Sequence, residues 1–166
     1  VLTVLPDHER LFDGRSAGSA ETLVGHYRRL VIFSRQYEPM LAGALRRLWR
    51  AQREHGLADH ALATTREEVE IYGRLARSEP GRHVERRADA LLRHADQLVD
   101  TGNATEAVRF SAGAVAAFGE LTRDGGTGHL ARHARALLRR ADVLEQLGRR
   151  PEAVATVTEA VDIHRR

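Results

Sequence analysis

Residues 90–108 read ALLRHADQLVDTGNATEAV, and 46 residues later, at 136–154, the chain reads ALLRRADVLEQLGRRPEAV. Duplication on a fixed period constrains the fold more than any local signal. A repeat is one supersecondary unit that cannot bury its own apolar face, so copies must stack on one another. Aligning 83–120 with 129–166 gives 16 identities in 38 positions. The segment 38–82 is more diverged but keeps the same marks. Gly56, Gly102 and Gly148 fall in register, as do Ala44-Leu45, Ala90-Leu91 and Ala136-Leu137. Ala61, Ala107 and Ala153 also align, and so do Val69, Val115 and Val161.

Each unit divides at its glycine. Val84, Ala88, Leu91, Leu92, Ala95, Leu98 and Val99 follow helical spacing and form one face, and Ala104, Ala107, Val108, Ser111, Val115, Phe118 and Leu121 form the face of a second helix. A glycine just past a helix end suits the left-handed conformation, where a Cβ is penalised. Pro39 and Pro151 sit where a first-turn proline opens a helix. SEPGR (78–82) and DGGTG (124–128) are turn material between units. The pattern predicts an all-α chain of about seven helices over 16–35, 39–55, 59–77, 83–101, 104–123, 129–147 and 151–165. It divides a single domain into an N-terminal extension (1–15), a decayed repeat remnant (16–37) and repeats at 38–82, 83–128 and 129–166. Within the extension, HERLF reads as a stub of helix and VLTVL as disordered.

Composition narrows the function classes. All 26 basic residues are arginine, so the pI of about 10.1 arises with a net charge of only +3. The arginines alternate with acids, as in HVERRAD, and do not gather into a groove, which argues against nucleic acid. With no cysteine there is no thiolate chemistry, and a cytoplasmic setting is expected. No apolar run approaches the about 20 residues that span a bilayer, and VLTVLPDHER is too short for a signal peptide, so no membrane role is expected.

With these residues in place, a family resemblance emerges. Leu91, Ala95, Leu98, Gly102 and Ala107, then Leu137, Ala141, Leu144, Gly148 and Ala153, resemble the tetratricopeptide repeat pattern, with Ala114 and Ala160 at its later small position. The length of the helices is similar to versions common in actinobacterial regulatory and scaffold proteins. The resemblance covers about 38–166 and implies a right-handed superhelix of helical hairpins. It implies a protein-interaction scaffold or adaptor, not an enzyme and without cofactor, that takes a partner peptide or helix on a concave face. A regulatory or sensor segment of a larger bacterial signalling or effector protein is the alternative. Departures are visible. The period of 46 exceeds the family's about 34. His94 and Arg140 replace a leucine, Trp49 stands at a small position, and Glu68 occupies the small position of the first repeat.

Carrying the family's first-helix face onto this chain gives partner-binding candidates Arg46, Arg50 and Arg53; Leu92, Arg93, Asp96 and Val99; and Arg135, Leu138, Arg139, Asp142 and Glu145. By the same resemblance, Arg46, Arg50, Arg93, Arg135 and Arg139 fall near positions that clamp a C-terminal carboxylate, a task suited to guanidinium forks. The competing reading is a solvated face on which Asp96 and Asp142 neutralise the arginines. Leu92 and Leu138 read equally as partner contacts or as core. His129 and His133 share a helix face, but zinc needs further ligands and none is evident, so no metal site is expected. GGTGH (125–129) lacks the lysine and the preceding strand of a phosphate loop. Glu67, Glu68 and Glu70 follow helix spacing and are read as facing water. An array ending at HRR without a polar cap leaves Val154, Val157 and Val161 short of cover, so a homodimer through the last helix, or excision from a longer protein, is expected.

Overall fold

The computed structural model describes residues 17–79, 81–123 and 127–165. The expectations for 1–15 and for the centre of the DGGTG turn lie outside these residues. Among the described residues there are seven α-helices and no strand. They are α1 (Ala17–Phe33), α2 (Glu38–Glu54), α3 (Ala58–Ser78), α4 (Val84–Asp100), α5 (Ala104–Arg123), α6 (Leu130–Gln146) and α7 (Arg150–His164), with short 3-10 turns at Arg35–Tyr37 and Thr127–His129. The all-α expectation holds, and every helix end falls within two residues of its predicted place. Pro39 and Pro151 stand in the first turns of α2 and α7. No helix is long and apolar enough to cross a membrane among these residues.

The three aligned glycines do the same work. Gly56, Gly102 and Gly148 have φ of 69°, 79° and 70°. At each, the glycine N–H donates three residues back and the next N–H donates five residues back. These bonds are Gly102 to Val99 (2.9 Å) and Asn103 to Leu98 (2.6 Å), with Gly56 to Arg53 (3.1 Å) and Leu57 to Gln52 (2.9 Å) as their first-repeat counterparts. The last repeat has Gly148 to Glu145 (2.8 Å) and Arg149 to Leu144 (2.9 Å). The paired bonds form a Schellman cap, which satisfies orphan carbonyls and turns the chain back. A Cβ at Gly102 would meet nothing within 4 Å, so only backbone strain opposes substitution. Gly102→Ala should therefore cost ~1–2 kcal/mol by urea denaturation, and Gly102→Asn less, because asparagine tolerates the left-handed region. Equal stability of all three proteins would contradict the cap.

The described residues form two compact units, divided between Ile71 and Tyr72. The division falls inside α3, which runs unbroken from Ala58 to Ser78. Hydrophobic spacing marks helices and turns, but it does not reveal where along a helix its packing partners change.

In the first unit, Leu23, Val24 and Tyr27 of α1 and Leu41, Leu45 and Leu48 of α2 are buried, as are Ala61 and Ile71 of α3. Two polar residues stand where the second repeat has Leu98 and Phe110: Gln52 and Thr64 are both buried, and the Thr64 hydroxyl donates to Gln52 Oε1 at 2.8 Å. Each supplies the partner that burial demands of the other. Glu68 is also buried, 1% exposed, which corrects the reading of the glutamates as a solvated face. Its repeat equivalents Ala114 and Ala160 are buried inner positions, and repeat register decided its place over charge. Glu67 is half-buried and holds Arg28 of α1 at 2.5 Å; Glu70 is exposed as expected.

In the second unit, α4 and α5 make one hairpin and α6 and α7 another, with α5 packed on α6. Ala88 of α4, Val115 and Phe118 of α5, Ala134 and Leu137 of α6, and Ala160 and Ile163 of α7 join in one cluster. The alanines set the close approach, while Phe118 and Leu137 fill what remains, both 0% exposed. A second cluster, Ala141, Leu144 and Ala153, closes the glycine end and is covered by Val108 of α5. His94 is fully buried with its ring edge-on to Phe110 at 4.5 Å. In the last repeat these two positions become Arg140 and Thr156 together.

Candidate partner-binding face

α4 and α6, the first helices of the two hairpins, lie beside each other in the second unit and are tied by arginines. Arg139 donates from Nε to Asp96 Oδ1 at 3.1 Å, its second nitrogen lies 3.0 Å from the same oxygen, and its third lies 3.5 Å from Asp142. The hydrogen bond to Asp96 holds the Arg139 guanidinium above its ordinary pKa, burial opposes it, and the charges of Asp96, Asp142 and Asp100 add to it. One helical turn pair toward the N-terminus, Arg132 bonds Glu85 and reaches Asp89 at 3.5 Å. Sequence reasoning missed this second rung. Its signal was present: Asp89 to Arg132 and Asp96 to Arg139 share an offset of 43, which is the period less three. An arginine three residues early in the next repeat faces the carboxylate of the preceding one.

Beyond the last rung a groove of about 440 Å³ opens between the C-terminal halves of α4 and α6. Asp96, Val99, Arg139, Asp142 and Glu145, all sequence-level candidates, line it together with Asp100, Val143 and Gln146. Four carboxylates therefore surround one arginine whose fork is already engaged. That arrangement is the charge-neutralised face, and at Arg139 it leaves no fork open for a C-terminal carboxylate. Electrostatically the groove favours a basic or amide-bearing group.

The other candidates fall elsewhere. Arg46, Arg50 and Arg53 are exposed on α2 in the first unit, where the Arg53 guanidinium carbon lies 5.3 Å above the ring of the half-buried Trp49. Arg93 is half-buried on α4 and Arg135 exposed on α6. Leu92 and Leu138 part company: Leu92 packs against the four-helix cluster and is core, whereas Leu138 is 46% exposed.

His129 and His133 are not brought together around a ligand set, and no group of three metal-binding side chains gathers among the described residues. His129 sits 3.9 Å from Glu85, while His133 is buried against Gly119 with Nδ1 3.4 Å from the Thr122 hydroxyl. His133 lines a second groove, about 700 Å³, between α5 and α7, with Thr122, Glu159 and Asp162. Burial pushes the His133 imidazole below its ordinary 6.5, with Glu159 pulling weakly the other way. A depressed histidine stabilises the fold above the unfolded value and loses that stability as pH falls through the folded one. The urea midpoint should therefore drop as pH falls through the ordinary 6.5 and below it, and His133→Gln should flatten part of that slope. An unchanged slope in the variant would contradict this assignment.

No family model and no curated protein matches the chain. Among solved structures, the crystal structure of BtubC (BKLC) from P. vanneervenii is similar at 13% identity over 90% of each chain, with a TM-score of 0.33. A likeness that loose carries no argument about fold detail or function.

Proposed function

We propose that this chain is a tetratricopeptide-like interaction module that holds a protein segment against the face made by α4 and α6. The observation that carries this reading is the groove at Asp96, Val99, Arg139, Asp142 and Glu145. It is open, mixed in polarity and built on two packed helices, the rigid platform that recognition needs. It lacks the enclosed, mainly apolar character of a small-molecule site. Its charge specifies the partner further: a segment with a lysine or arginine for Asp100 and Glu145, and an apolar side chain for Val99 and Val143.

The test is a displayed library of random dodecamer peptides panned against the chain. Enriched sequences should carry basic and apolar residues, and synthetic versions should bind the Val99→Asp or Asp100→Arg proteins at least about tenfold more weakly. Both positions lie at the groove rim, so circular dichroism should be unchanged. Failure to enrich any family, or affinities indifferent to both substitutions, would remove the proposal.

A further inference from the structure

The internal repeat shows what covers the outer face of a second helix. In α5, Val108 packs against Ala141, Leu144 and Ala153, Ser111 is fully buried, and Val115 joins Ala134 and Leu137 in the larger cluster. Val108 and Val115 are thus packed with residues of α6, the first helix of the following hairpin. The equivalents of Val108, Ser111 and Val115, 46 residues on, are Val154, Val157 and Val161 of α7, exposed by 66%, 40% and 41%. The adjoining edge repeats the pattern: Leu92 is covered, and its equivalent Leu138 is 46% exposed. Beside these valines lies a groove of about 330 Å³, lined by Ala141, Ala153, Val154 and Val157 together with Asp142, Glu145, Arg150 and Thr158.

We propose that this end face binds an amphipathic helix that carries small and leucine side chains at the spacing of α6, with an arginine two residues after its central leucine. The apolar part of the pattern is read from Ala134, Leu137, Ala141 and Leu144, which cover α5. The arginine is read from Arg139, which meets Asp96; Asp142 is the repeat equivalent of Asp96 and lines the end groove. The occupant is not a second copy. The helices of this kind within the chain have their apolar faces buried, with Leu45 and Leu137 0% and Leu91 6% exposed, so a copy has none to offer without unfolding. The end groove shares Asp142 and Glu145 with the α4–α6 groove, but Val157 lines only the first and Val99 only the second, so substitutions at those two valines tell the sites apart.

The probe is a fluorescein-labelled synthetic peptide with the sequence of residues 129–148, added to the whole chain. Binding should saturate at one per chain, and amide shifts should cluster at Val154, Val157 and Val161. Val157→Asp should weaken it at least about tenfold while leaving circular dichroism unchanged, and Val99→Asp should leave it alone. Asp142→Arg should weaken the parent peptide, and a peptide carrying Arg139→Glu should recover affinity for that variant. Non-saturable binding, affinity indifferent to Val157→Asp, or shifts confined to residues outside α6 and α7 would each overturn the proposal. So would sedimentation showing a dimer that Val157→Asp dissociates, because a second copy would then fill the face.

Discussion

Phe118→Ala should destabilise the second unit by ~3–5 kcal/mol, the largest effect expected of any single truncation in it. The ring is 0% exposed and belongs to the cluster that draws on α4, α5, α6 and α7. Much of its surroundings is alanine, including Ala88, Ala134, Ala136 and Ala160. Those side chains are single methyls on close-packed helices and cannot swing inward to fill a void, so the cost sits in the cavity regime. Urea denaturation followed by far-ultraviolet circular dichroism measures it. A loss under about 1 kcal/mol would mean that the ring is not the keystone of that cluster. His164 offers the internal control. It is the repeat equivalent of Phe118 but exposed, so His164→Ala should leave stability within about 0.5 kcal/mol of the parent.

Leu45→Ala should cost ~2–5 kcal/mol in the first unit. Leu45 is 0% exposed and is the equivalent of Leu91 and Leu137. The chain's single tryptophan, Trp49, lies one helical turn along α2 and reports on this unit alone, so fluorescence-detected unfolding isolates the effect. A Trp49 transition that does not move with Leu45→Ala would show that the first repeat, the most diverged, does not pack as the others do.

Much of the fold could be read from residues in register. Aligned glycines located the turns, two prolines located helix starts, and paired Ala-Leu positions located the inward faces. Each rests on local physics that a sequence states directly. What escaped depends on partners distant in the chain. Glu68 looked solvated because its neighbours Glu67 and Glu70 are acidic, yet position relative to Ala114 and Ala160 determined its burial. At the candidate face, the sequence assembled Asp96, Val99, Arg139, Asp142 and Glu145 correctly as neighbours. Arg132 and Glu85 were missed because their pairing needs the stagger between stacked helices as well as the period. Of the two readings the sequence offered for Arg139, carboxylate clamp or charge-neutralised face, its bonds to Asp96 and Asp142 favour the second.

The claim beneath all of this is that the repeated sequence is a repeated hairpin, one stacked on the next through a shared core. Methyl-resolved nuclear Overhauser spectroscopy tests it most directly. The Phe118 ring should give cross-peaks into the methyl network of Ala88, Ala134, Leu137 and Ile163, linking α5 to both hairpins at once. A Phe118 ring whose cross-peaks stay within α4 and α5 would contradict the account, because the two hairpins would then share no core.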